Sequence, residues 1–188
     1  MFEDFQPKET TARAVAREIC DWAESGMMAV VCVVLLFTFV ARISDVDGGS
    51  MQPTLEHQDR LVITRMGLGP SHGDIVVVTL PGRYQEPLVK RVIATEGQEI
   101  NINFMTGQVF VDGVELYEPY IADLTRLEYD MAFPQIVPEG HVFILGDNRN
   151  NSLDSRASWI GMVDDRHILG RAFFRVSPLS RIGIPDIP

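Results

Sequence analysis

Only two of the sixteen basic residues in this chain are lysines, and Lys90 is the one that lies beyond the first ten residues. Arginine keeps its charge at any accessible pH, whereas a desolvated lysine can surrender its proton. Lys90 falls within Leu88-Val89-Lys90-Arg91-Val92-Ile93, where strand alternation gives it the same face as Leu88 and Val92. Burial on an apolar face disfavours the ammonium form. A neutral amine beside a serine hydroxyl can take the hydroxyl proton, which is the chemistry of a Ser–Lys pair. A lone lysine is also what compositional chance produces, so the position needs company.

Two segments offer it. Ser50 opens Ser50-Met51-Gln52-Pro53-Thr54-Leu55 behind Gly48-Gly49, and the glycines leave its hydroxyl uncrowded. The same residues also read as a plain linking turn. Downstream lies Gly146-Asp147-Asn148-Arg149-Asn150-Asn151-Ser152-Leu153-Asp154-Ser155-Arg156. Such a polar stretch is ordinarily a surface loop. Placed after the apolar run His141–Leu145, it can hold a hydroxyl against the amine and lock itself with an Asp–Arg pair.

Other chemistries find no support. Neither H-E-x-x-H nor C-x-x-C occurs, and no metal or cofactor is expected. Gly48-Gly49-Ser50-Met51-Gln52 is not a G-x-S-x-G elbow, and the four histidines sit in or beside turns, as solvated loop residues do. A formal charge of −10 without a basic stripe excludes nucleic acid as a partner. The two cysteines, Cys20 and Cys32, both lie near the N-terminus, so the rest must fold without disulfides.

These residues need elements to position them. The apolar runs predict strands over Arg60–Met66, Asp74–Leu80, Leu88–Ala94, Glu99–Asn103, Val109–Leu116 (turning at Asp112-Gly113), His141–Leu145 and Ile168–Val176. Short strands without long helices between them predict a mainly β, antiparallel domain, barrel-like or sandwich-like. Before it, Gly26–Ala41 is uncharged and reads as one N-terminal transmembrane helix, extended at its ends by Trp22, Ala23 and Ile43. The long acidic stretch ahead of it argues against a cleaved leader. The expected organisation is a cytoplasmic segment 1–24, an anchor 25–43 and an extracytoplasmic β-rich domain 44–188. Lys8, Arg13 and Arg17 before the run, against Arg42 and Arg60 after it, favour that orientation.

From about Val46 to Val176 the chain resembles the bacterial type I signal peptidases, in the shorter Gram-positive-like form. The resemblance is carried by the Ser50 and Lys90-Arg91 segments, by Gly73-Asp74-Ile75-Val76-Val77, by the eleven-residue G-D-N-R-x-x-S-x-D-S-R match at 146–156 and by Ile168-Leu169-Gly170-Arg171. It implies Ser50 as nucleophile, Lys90 as general base, Ser152 as a hydrogen-bond partner of the lysine and Asp154–Arg156 as a structural salt bridge. It further implies substrate-pocket roles for Met51, Leu55 and Val89. Gram-negative enzymes carry a serine where this chain has Gly48, so the oxyanion is expected to rest on the backbone N–H groups of Ser50 and Gly48. The implied partners are signal-peptide-bearing preproteins, cleaved at A-x-A type sites, the lipid bilayer of the cell membrane and the nearby secretion translocon. A self-cleaving SOS-type repressor shares the chemistry but would carry a DNA-binding N-terminus and an Ala-Gly or Cys-Gly bond, and this chain has neither dipeptide. A non-catalytic or substrate-specialised tethered relative, acting in pilin or surface-protein assembly, is the alternative reading.

Overall fold

The computed structural model describes residues 11–39, 41–64, 69–82 and 84–185, with side chains in the first segment described for 15–35. Lys8 and residues 65 and 66 of the expected strand 60–66 lie outside the described residues. Contacts divide the chain into two units, Met1–Val40 and Ala41–Pro188.

The first unit is the helix α1, Thr11–Phe39. Its first half is rich in Ala, Arg and Glu, which favour helix. Its second half exposes Met28, Val30, Val33, Val34 and Leu35. Among the described residues no helix is long and apolar enough to cross a membrane. Of the run Gly26–Ala41, the side chains at 36–39 and all of residue 40 fall outside the description. Residues 41–43, expected to finish a span, belong to a strand instead.

That strand is β1, Ala41–Asp45, and ten more follow: β2 (Arg60–Thr64), β3 (Ile75–Leu80), β4 (Tyr84–Thr95), β5 (Glu99–Asn103), β6 (Gln108–Val111), β7 (Val114–Glu115), β8 (Gln135–Ile136), β9 (His141–Leu145), β10 (Val163–Asp164) and β11 (Ile168–Ser177). They form a seven-stranded sheet, β1-β2-β11-β3-β4-β9-β10, and a four-stranded sheet, β7-β6-β5-β8. Every pairing is antiparallel. The β6–β7 turn has φ +51° at Asp112 and +76° at Gly113, the two positive values a type I′ hairpin requires.

The barrel-like expectation is corrected to two open sheets, since β1 and β10 end the larger one unpaired and no barrel closes among the described residues. The reason is visible in β3, where Ile75, Val76, Val77 and Val78 are all fully buried. A sheet apolar on both faces needs cover on each side rather than closure around one interior. Ile75 and Val77 pack with Met51, Leu55, Leu61 and Val89. Val76 and Val78 pack with Val92, Ile144 and Ile160, with Leu88 against them. A third cluster joins Ile93 and Phe143 of the large sheet to Ile100 and Val109 of the small one. Alternation therefore points Lys90, on the interior strand β4, into the cover shared by Leu88 and Val92.

Candidate active site

Lys90 and Ser50, forty residues apart, meet at 2.7 Å between Nζ and Oγ. The amine also donates to the Val89 carbonyl at 3.0 Å, and its residue is only 2% exposed. Burial drives the Lys90 pKa from 10.5 down to about 8, against the carboxylates of Asp154 and Asp147, which raise it, and with Arg156, which lowers it. An amine so placed is partly neutral near physiological pH and within reach of a hydroxyl proton. Its strand neighbour Arg91 must face the other way and is also fully buried. It grips Asp147 through Nε–Oδ1 at 2.8 Å and Nη2–Oδ2 at 2.6 Å, and its guanidinium lies 4.0 Å from the centre of the Tyr120 ring. Asp147 also accepts from Thr54 Oγ1 at 2.6 Å. One carboxylate thus ties β4, the segment after Ser50 and the polar stretch together.

The polar stretch is not a surface loop. Asp154 and Arg156 are 0% exposed and form a bidentate pair, Nε–Oδ1 2.8 Å and Nη2–Oδ2 2.9 Å. Asp154 also accepts from the Gly146 N–H and from Ser152 Oγ, at 3.1 and 2.7 Å. Arg156 caps the Leu127, Arg149 and Ser152 carbonyls, and Arg149 reaches out of the stretch to Glu118 and Thr125. Each buried cation except Lys90 is an arginine with a carboxylate partner, which suits a permanent charge that must be neutralised in place.

Gly146 lets the pieces touch. A Cβ there would collide with Ser152 Oγ and stand 2.5 Å from the Ser50 carbonyl oxygen. Gly146→Ala should therefore push Ser50 off Lys90. A peptide-cleavage assay should show a fall of about 100-fold, and a melting curve a loss of about 1–3 kcal/mol from overpacking.

Residues 19–177 match the family model "Signal peptidase, peptidase S26". The chain is 41% identical over 167 residues to a probable signal peptidase I-1 of Synechocystis, covering 84% of this chain and 82% of that protein. It is 35% identical over 188 residues to the probable signal peptidase I-2 of the same organism, covering 94% and 83%. It is 34% identical over 186 residues to the signal peptidase I of Bacillus amyloliquefaciens, covering 93% and 96%. This chain belongs to the type I signal peptidase family. It is a serine endopeptidase, and signal-peptide-bearing preproteins are its class of substrate.

Within that family setting several expected residues stand differently. The Gly48 N–H, expected to face an oxyanion, lies 3.3 Å from His57 Nδ1, which also stands 3.1 Å from Asp47 Oδ1. Ser50's own N–H has no acceptor among the described residues. Ser152 gives its one hydroxyl proton to Asp154, and the expected hydrogen bond between Ser152 and Lys90 is not among those of the described residues. Met51, Leu55 and Val89 are core residues, at 1, 0 and 7% exposure, packed against β2 and β3 rather than open to a substrate. Sequence reasoning passed over Arg91, Asp147, Gly146 and Asn148. The signal for Arg91 was present, since Lys90-Arg91 on one strand must send its cations to opposite faces.

Proposed function

We propose that the chain is a membrane-anchored signal peptidase in which Ser50 is the nucleophile and Lys90 the general base. The observation that carries this is the 2.7 Å approach of Lys90 Nζ to Ser50 Oγ, with the amine buried and its pKa lowered to about 8. The preprotein lies extended beside the site, as an added strand, with the small residues of an A-x-A type sequence before the scissile bond. Ser50 Oγ attacks the scissile carbonyl as neutral Lys90 accepts its proton. The Ser50 N–H holds the oxyanion. The Lys90 ammonium then protonates the leaving amine, releasing the mature protein and leaving the signal peptide esterified to Ser50. Lys90 next takes a proton from water, which cleaves the ester and frees the serine. Asp154 and Arg156 brace the site, and Ser152 stands in that brace.

The uncharged run Gly26–Ala41 supports an anchor in the cell membrane, and the exposure of Val30, Val33, Val34 and Leu35 agrees with lipid around it. In this reading the N-terminus is cytoplasmic, residues 44–188 are extracytoplasmic, and cleavage occurs beside the translocon that delivers the substrate. An anchored enzyme and a substrate held by its own apolar segment share one plane, which raises their effective concentration.

The test is incubation of the full-length protein in detergent with a preprotein bearing an A-x-A site. Product masses should show cleavage after the second alanine by the wild type and none by Ser50→Ala. Equal cleavage by the two would remove Ser50 from the mechanism.

A further inference from the structure

The nucleophile is delivered on a glycine lead-in to which its own turn contributes one bond, from the Gln52 N–H to the Gly49 carbonyl at 3.2 Å. Gly48 has φ +84° with nothing within 4 Å of where a Cβ would stand, and two successive glycines give the backbone wide freedom. The segment is tied down from outside as well, and two of those ties come from one residue. Asn148 donates from Nδ2 to the Gly49 carbonyl at 3.0 Å, and from its backbone N–H to the Ser50 carbonyl at 3.0 Å.

These two carbonyls belong to the two peptide planes that meet at the Ser50 Cα. A peptide unit is planar and trans, so its C=O and N–H point in opposite directions. Holding the Gly49 carbonyl therefore aims the Ser50 N–H away from Asn148. Holding the Ser50 carbonyl fixes the second plane. With both planes set, φ and ψ of Ser50 are set, and with them the direction of its Cα–Cβ bond, from which the Lys90 hydrogen bond holds Oγ. We infer that Asn148 is a positioning residue that aims both the Ser50 hydroxyl and the Ser50 N–H.

The chemistry of the amide fits this task. A carbonyl only accepts, so the Asn148 side chain must present its NH₂ to Gly49. An aspartate of the same shape would present a charged oxygen to an oxygen. Asn148 touches neither Lys90 nor the reacting atoms, so the proton affinity of the base should not depend on it. Asn150, two residues on, makes an instructive contrast. Its Oδ1 accepts from the Arg126 and Leu127 N–H groups and its Nδ2 donates to the Leu124 carbonyl, so it braces a different loop.

The catalytic consequence rests on the peptidase reading, whereas the structural part stands alone. The experiment compares wild type, Ser50→Ala, Asn148→Ala, Asn148→Asp and Asn150→Ala as full-length protein in detergent. It reads kcat and KM on an A-x-A signal-bearing preprotein, the pH–rate midpoint, the melting temperature, and amide hydrogen exchange over residues 46–55. Both Asn148 variants should lose about 10- to 100-fold in kcat, with KM unchanged and exchange accelerated around Ser50. The midpoint should hold in Asn148→Ala and move toward alkali in Asn148→Asp, whose new carboxylate adjoins Asp147, a charge that raises the Lys90 pKa. Asn150→Ala should lower the melting temperature while keeping wild-type kcat and wild-type exchange around Ser50. Wild-type kcat in Asn148→Asp overturns the inference. So does an equal loss of kcat in Asn150→Ala and Asn148→Ala at equal melting temperature. Should wild type and Ser50→Ala alike fail to cleave, the peptidase reading falls, and exchange alone decides on Asn148. Unchanged protection around Ser50 in Asn148→Ala then overturns the inference, and its loss upholds it.

Discussion

Replacing Lys90 by arginine or by methionine is expected to abolish cleavage, while the two variants part company in stability. Arginine keeps the charge but cannot lose its proton at accessible pH, and methionine has no amine to offer. Each should fall by at least about 10³-fold in rate, as loss of the base does in related serine chemistry. Stability separates them because Lys90 is held at a cost. Its pKa of about 8 lies below the 10.5 of an exposed lysine. Between those values the unfolded chain binds a proton that the folded chain does not, so stability rises with pH across that window. Below about pH 8 the whole cost is present, on the order of 3 kcal/mol. Lys90→Met should recover much of it at pH 7 and progressively less toward pH 10. Lys90→Arg should instead destabilise at every pH, since the larger cation cannot shed its charge. Melting curves at the two pH values check both signs.

The same group sets the pH dependence of the wild type. kcat/KM should rise with pH about a midpoint near 8, the value in the free enzyme. Substrate covering the site removes further water from the amine, so the midpoint of kcat should lie lower still. A rate that is flat from pH 6 to 9 would exclude Lys90 as the base.

How much of this could be read from the residues differs from element to element. β5 and β9 keep their expected bounds because each is a run with clear apolar alternation or full burial between turn residues. β1 was hidden because Ala41 and Ile43 read as the end of the apolar run, and its strand state depends on pairing with β2. β8 and β10 are two residues each and exist only through their partners. In the site, Lys90 was legible because a lone lysine on an apolar face contradicts its surroundings. Arg91–Asp147 and Arg149–Glu118 join residues 56 and 31 positions apart, and no local period encodes such pairs. The burial of Met51 and Leu55 was not legible because an apolar residue beside a nucleophile has the same signature whether it lines a pocket or fills a core. The Asp–Arg pair of the polar stretch was expected, but its full burial was not legible, for the converse reason. Its charges are satisfied by one another and by backbone carbonyls, which composition does not reveal.

Asp154→Ala is expected to be the most damaging substitution for the fold, and it should move the pH profile as well. It strips Arg156, which is fully buried, of its carboxylate partner among the described residues, and removes the acceptor of the Gly146 N–H and Ser152 hydroxyl. Breaking one side of a buried pair costs about 3–5 kcal/mol, because the remaining charge stays desolvated. For a domain of this size that is a large part of the total stability. The Asp154 charge also raises the Lys90 pKa, so its loss should let the amine fall below about 8 and carry the kcat/KM midpoint toward acid. A purely structural brace would lower the melting temperature and leave that midpoint in place. Arg156 acts on Lys90 with the opposite sign, so Arg156→Met should shift the midpoint toward alkali in whatever fraction folds. The double variant Asp154→Leu/Arg156→Met removes both charges together. It should regain much of the lost stability, since an apolar pair of similar volume carries no desolvation cost. If the double variant melts no higher than Asp154→Ala, the instability lies in the hydrogen bonds to Gly146 and Ser152 rather than in the orphaned charge. If the midpoints of the two single variants move in the same direction, the two charges do not act on Lys90 through the field that their positions imply.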